Sequence, residues 1–262
     1  MDNKVLKKIC IFCKKDSSES KSKEHIVPES MGCPEGLYLS PGIVCDKCNN
    51  NILARLDSDL QDCFGILKPW FIAQNKKGKP ITVKNKYYYA ENNNGHFSIF
   101  INKKGKPVEV KKGIFLKSIE DNKKVIHSFE EKICGKETNV KFSQNFILND
   151  NSKRALHKIA FEFYCWMHGE DVVLDKKFDI VRDYILFGKG KRSILMGEKY
   201  RFGDLEGIHQ FHSTAQDEKG NIIVPFLLFD ISFVVSLVGS MEKLQEMKDK
   251  AQELSLPKFI AV

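Results

Sequence analysis

The sequence predicts an α+β protein in two parts, and three observations predict it. Two Cys-x-x-Cys pairs, Cys10/Cys13 and Cys45/Cys48, bracket a short stretch that reads strand, strand, helix. Beyond Pro69-Trp70 the texture changes to β-branched and aromatic runs separated by Asn/Gly and Lys/Gly turns. Further along, helical spacings give way to apolar strand patterns. Residues 1–68 are therefore expected to form a small stapled ββα unit, and residues 69–262 a mixed α+β domain of unassigned fold.

Within the first part, residues 14–23 are polar and mark a loop, residues 24–27 start a strand that Pro28 ends, and Gly32, Pro34, Gly36, Pro41 and Gly42 make the next stretch turn-rich. Ile43-Val44 lead into the second cysteine pair. Ile52, Leu53, Leu56 and Leu60 have helical spacing, so a helix is expected from Asn49 to about Cys63, before Gly65.

In the second part, strands are expected over residues 81–90, 96–102 and 108–115, with a further strand over 142–149. Asp150-Asn151-Ser152 offer N-cap residues to an amphipathic helix carrying Ala155, Ile159, Ala160 and Phe163 to about His168. Phe178, Val181, Ile185 and Leu186 suggest another helix stopped by Gly188. Strands are expected over 208–215, 222–228 and 231–238, then a charged helix over 241–254.

No apolar run reaches the roughly 18–20 residues of a membrane helix; residues 222–239 come nearest, and Pro225 and Asp230 interrupt them. The first residues have no apolar core, so no secretory signal is expected and a cytoplasmic location follows. In a reducing compartment, paired Cys-x-x-Cys motifs mean metal rather than disulfide. Cys33, Cys63, Cys134 and Cys165 stand alone and are expected to be small buried hydrophobes.

The formal net charge is +8. Residues 71–153 hold seventeen Lys/Arg against eight Asp/Glu, while the segments on either side balance. A basic excess confined to one segment suits a polyanion, nucleic acid first. Tyr87-Tyr88-Tyr89 among Lys79, Lys84 and Lys86 could stack bases and hold phosphates, although a tyrosine-lined sheet face accounts for the same residues. His157, His168, His209 and His212 lack metal-ligand spacing, and Phe163, Tyr164 and Trp166 read as core.

The chemistry concentrates in residues 10–57. Four thiolates from two Cys-x-x-Cys pairs suit Zn²⁺ in a closed tetrahedron, which makes that ion structural. The thirty-one residues between Cys13 and Cys45 exceed a simple zinc ribbon, so the loop holds something. It carries Glu24-His25-Ile26-Val27-Pro28, and Asn49 follows the last thiol. Phosphodiester hydrolysis needs an activated water and a means to stabilise charge on the leaving oxygen. A neutral imidazole can take the water's proton, and a carboxylate with an amide oxygen can help hold a hard divalent cation.

These residues resemble the HNH, or ββα-metal, endonucleases whose motif sits between two zinc knuckles; the resemblance covers about residues 10–60. It implies His25 as general base, with Glu24 and Asn49 ligating a catalytic Mg²⁺ or Mn²⁺. The reaction would leave a 5′-phosphate and a 3′-hydroxyl. Glu24 stands where Asp is usual. Ser40 stands five positions before Cys45, where the family often has Asn, and is carried as the middle site residue. Arg55, Lys84 and Lys86 are candidate nucleic-acid contacts. The implied protein is a DNA endonuclease, RNA not excluded, with restriction or anti-phage defence as a setting and no membrane partner. Its second domain would bind a ligand, a protein activator or a second copy. The rivals are a zinc-knuckle protein that holds nucleic acid without cutting, and an effector dormant until its second domain is engaged.

Overall fold

The first strand, β1 (Glu24–His25), pairs antiparallel with β2 (Tyr38–Leu39), setting Glu24 opposite Leu39 and His25 opposite Tyr38. A wide helical turn over Cys48–Leu53 then runs into α1 (Ala54–Phe64). The strand–strand–helix order expected of this stretch is therefore present, with the second strand at Tyr38-Leu39. The structure is a computed structural model. It describes residues 7–65, 67–72, 78–84, 88–93, 96–101, 108–109, 115–117, 125–133, 136–144, 148–198, 208–229, 231–239, 246 and 259–261.

The chain divides into two compact units, and they do not part at residue 68. One contains residues 1–29, 33–60 and 148–262; the other contains residues 30–32 and 61–147. The cysteine-bracketed stretch thus belongs with the C-terminal part of the chain, and a β-rich segment is inserted between them. The inserted residues 61–147 hold seventeen lysines, no arginine and eight acids, so the basic excess falls on that segment.

In the inserted unit, α2 (Leu67–Phe71) precedes a four-stranded antiparallel sheet of β3 (Ile81–Lys84), β4 (Tyr88–Asn93), β5 (His96–Ile101) and β6 (Val108–Glu109). The single strand expected over 81–90 is a hairpin in which Lys84 pairs with Tyr89. A three-stranded antiparallel sheet follows: β7 (Phe115–Lys117), β8 (Val125–Ile133) and β9 (Lys136–Gln144). β8 was not anticipated, because its Glu130-Glu131-Lys132 run carries low strand propensity. The strand expected over 142–149 lies earlier, as β9.

The other unit is organised on α3 (Asp150–His168). Asn149, not the Asp150-Ser152 stretch, caps it: its side chain accepts the Ser152 N–H at 2.8 Å. The sequence suggested one apolar face, yet every residue from Ala155 to Cys165 is buried. Cover comes from several directions. α4 (Glu170–Val173) follows α3, and α5 (Asp179–Phe187), ended by Gly188 in the left-handed region as expected, packs alongside it. The guanidinium of Arg154 donates to the Ile185 and Leu186 carbonyls that end α5.

The remaining cover is a six-stranded antiparallel sheet. It is built from β10 (Ile194–Glu198), β11 (His209–Phe211), β12 (Ala215–Gln216), β13 (Ile222–Leu228), β14 (Ile231–Val238) and β15 (Phe259–Ala261). Its path runs β11-β13-β14-β10-β15, with β12 beside β13. β14 is almost wholly buried, Ser232 and Ser236 included, as its mainly apolar pattern predicts. The helix expected over 241–254 lies outside the described residues except for Glu246.

Phe12 of the first cysteine pair packs on Phe161 of α3 at 5.4 Å between ring centroids, and Phe161 meets Phe178 at 5.8 Å. Burial of each ring contributes about 1.5–3 kcal/mol. Phe163 and Tyr164 are core as expected, but Trp166 is 47 % exposed because α3 emerges from its cover there. Cys165 is buried as expected, whereas Cys33 and Cys63 are half-buried; Cys134 lies outside the described residues.

His157 is fully buried, its Nδ1–H donating to the Lys153 carbonyl at 2.9 Å and its ring edge-on to Tyr184. Burial pushes its pKa down to about 3, with Arg192 adding to the effect. The folded chain therefore holds this imidazole neutral, while the unfolded chain protonates it below about pH 6.5. Stability is expected to fall as pH drops from about 6.5 toward 3, by up to about 1.4 kcal/mol per pH unit from this residue. Urea unfolding at pH 7, 5 and 4 should show a shallower loss in His157→Gln; equal slopes would refute the assignment.

Candidate active site and zinc centre

The two Cys-x-x-Cys pairs converge. The sulfurs of Cys10, Cys13, Cys45 and Cys48 all lie within 4.8 Å of one another, with Cys13 and Cys45 3.7 Å apart. A tetrahedral ion with bonds of about 2.3 Å to sulfur needs an edge of about 3.8 Å, so the donor set fits zinc. Backbone N–H groups already point at the sulfurs: Cys45 N–H donates to Cys10 Sγ and Cys48 N–H to Cys45 Sγ. Contact with Cys48, reinforced by backbone N–H groups, lowers the Cys10 thiol to about 5, while burial pushes Cys13 up to about 11. One sulfur thus holds negative charge at the expense of its neighbours, and a cation relieves that competition.

The staple sets the position of β1. Asp46, between the last two cysteines, accepts the backbone N–H groups of Lys21 and Ser22 and the Ser22 hydroxyl, which hold its carboxyl below its ordinary value. Asn49 Nδ2 donates to the Lys23 carbonyl at 3.2 Å. It does so from a π-helical turn in which the Ala54 N–H reaches back to the Asn49 carbonyl. Asn49 therefore meets the chain immediately before Glu24-His25.

His25 is half-buried, its ring 6.5 Å from that of Tyr38 and edge-on to it. Lys23, an exposed cation, sits with its Nζ 4.5 Å above the Tyr38 ring. Ser40 is exposed, and its carbonyl closes a turn by accepting the Ile43 N–H. Arg55 is exposed and lines a cavity of about 970 Å³ beside the cysteines, with Lys14, Lys15 and Lys47. Lys84 is exposed on β3. Lys86 lies outside the described residues.

Glu24 departs from expectation. Its side chain is 4 % exposed, and Oε1 lies 2.5 Å from Lys158 Nζ of α3. Lys158, 0 % exposed, also reaches Asp57 of α1 at 2.9 Å and Glu162, one turn along α3, at 3.6 Å. Burial works against the ammonium, but Asp57, Glu162 and Glu24 outweigh it and hold Lys158 well above its ordinary value. Burial likewise raises Glu24 and, more strongly, Glu162. As placed, Glu24 does not fit the role of ligand to a divalent cation: its carboxylate is buried and already bonded to a cation.

Sequence reasoning missed Lys158, Asp57 and Glu162, together with Lys23 and Tyr38. The i, i+4 spacing of Lys158 and Glu162 was legible, but it also describes an exposed helix pair.

Residues 10–64 match the family model of an HNH endonuclease. No curated protein and no solved structure matches the chain. Among the described residues no helix is long and apolar enough to cross a membrane. One zinc per chain is expected by elemental analysis of the purified protein, falling to none in Cys13→Ala/Cys45→Ala, with loss of cooperative thermal unfolding in the N-terminal region. Full zinc retention in that variant would rule out the four-sulfur site. Within an α+β chain, residues 10–64 thus match an HNH endonuclease family model and bring together four cysteines whose spacing fits a zinc ion.

Proposed function

We propose that the chain is an endonuclease that hydrolyses phosphodiester bonds in DNA, with His25 as general base. The observation that supports this most is the hairpin: set beside the four-cysteine cluster and bonded to α3 through Glu24 and Lys158, it places His25 opposite Tyr38 in a segment that matches the family model. His25 takes a proton from water as the water oxygen attacks phosphorus. The bond to the 3′ oxygen breaks, the leaving oxygen takes a proton from solvent water, and the products carry a 5′-phosphate and a 3′-hydroxyl. Lys23 brings positive charge beside this hairpin, and the lysine-rich inserted segment supplies salt-sensitive, sequence-independent attraction for the polyanion. Cys10, Cys13, Cys45 and Cys48 would hold a zinc ion that supplies no chemistry to the step, and so fix the ends of the loop that bears His25. Cutting of foreign DNA, in restriction or anti-phage defence, extends this reading.

A second reading, a zinc-knuckle protein that binds nucleic acid without cutting, draws support from the engagement of Glu24 by Lys158. Supercoiled-plasmid cleavage separates the two. With Mg²⁺ or Mn²⁺ added, the wild type is expected to nick or linearise the plasmid, and His25→Ala to lose activity by 10²-fold or more, as removal of a general base typically does. Retained DNA binding with no cleavage by either protein would favour the second reading.

A further inference from the structure

Lys158 is the group in the site that neither the motif nor the matched segment contains. It lies outside residues 10–64, on a helix ninety-odd positions downstream, yet its ammonium is bonded to the acid that precedes the proposed base. It is fully buried, so it is not a surface lysine that has settled on a nearby carboxylate. Its neighbours along α3, Leu156 and Ile159, are fully buried as well. Three carboxylates from three elements converge on it: Glu24 from β1, Asp57 from α1 and Glu162 from α3 itself. A divalent cation gathers carboxylates in a similar way, drawing oxygens from separate elements to one positive centre.

We infer that Lys158 is the fixed cation of this nuclease site, occupying at Glu24 the position a divalent ion would otherwise take. Glu24 is then a positioning residue. It anchors β1 to α3 through the ammonium, holds the adjacent His25 at the hairpin surface, and does not ligate exchangeable metal. The inference deepens the endonuclease reading and rests on it for the meaning of the site. The geometry also explains why the cysteine-bracketed stretch shares a unit with residues 148–262: its acid is completed by a lysine from there.

Charge sets the consequence. With the ammonium in place, Glu24 and Asp57 share one positive charge at 2.5 and 2.9 Å, and Glu162 stands farther off at 3.6 Å. Without it, they form an oxygen-rich pocket with excess negative charge, which is a divalent-ion site.

The test is Mn²⁺ titration of the zinc-loaded full chain, read by electron paramagnetic resonance of free Mn²⁺, for the wild type, Glu24→Gln, Lys158→Met and Lys158→Arg. The inference expects Glu24→Gln to match the wild type within twofold. It expects Lys158→Met to gain a Mn²⁺ site at least tenfold tighter, and Lys158→Arg, which keeps the charge, to gain none. A weakening of tenfold or more in Glu24→Gln makes Glu24 a metal ligand and overturns it. So does a folded Lys158→Met whose affinity is unchanged. If Lys158→Met fails to retain zinc and a cooperative melt, the Glu24→Gln comparison alone decides.

Plasmid cleavage by the same wild-type preparation separates this claim from the endonuclease reading. No cleavage sinks that reading, whereas the Mn²⁺ comparison still reports on what occupies Glu24.

Discussion

The buried ammonium of Lys158 is the constraint on which the rest of this site depends. A charged lysine removed from water costs several kcal/mol unless opposite charges surround it. Here Glu24, Asp57 and Glu162 do so from three different elements. The arrangement is directional: it is satisfied only when β1, α1 and α3 stand at one particular mutual position. Its contribution lies in fixing that position more than in net stability, since apolar residues of similar volume would also pack. Asn151 and Ser152, which reach Asp59 on the same helix as Asp57, add a second tie between α1 and α3.

The four-cysteine cluster and α3 both hold the same short stretch. A ββα stretch of some fifty residues buries too little surface to stand alone. The four sulfurs close one side of it, and Phe12 against Phe161 with Glu24 against Lys158 close the other. What the cysteine pattern suggested was a self-contained N-terminal domain is instead one part of a larger core, with the lysine-rich β segment inserted between its two halves. That arrangement places the lysine-rich segment and the β1–β2 hairpin in separate compact units.

The local parts of the site were legible because their chemistry repeats at fixed short spacing. Two Cys-x-x-Cys pairs announce a tetrahedral ion, and Glu24-His25 ahead of Pro28 announces a strand end bearing an acid and a base. The helices of residues 150–168 and 178–187 followed from their apolar period and their caps, although the cap of the first is Asn149. Long-range partners were not legible. Nothing in the spacing of residues 24, 57, 158 and 162 distinguishes a buried ion cluster from four solvated charges, since that depends on burial set by long-range packing around α3. β8 was hidden by its acidic run, and β10 and β15 by their brevity. Trp166 looked like core because the helical period continues through it, while its cover does not.

Crystals grown with Mn²⁺, with anomalous diffraction recorded at the zinc and manganese edges, test the division of cationic roles most directly. The account predicts a zinc peak among Cys10, Cys13, Cys45 and Cys48, and Lys158 Nζ still bonded to a Glu24 carboxylate that carries no manganese. A manganese peak on the Glu24 carboxylate, with Lys158 displaced from it, would contradict the account.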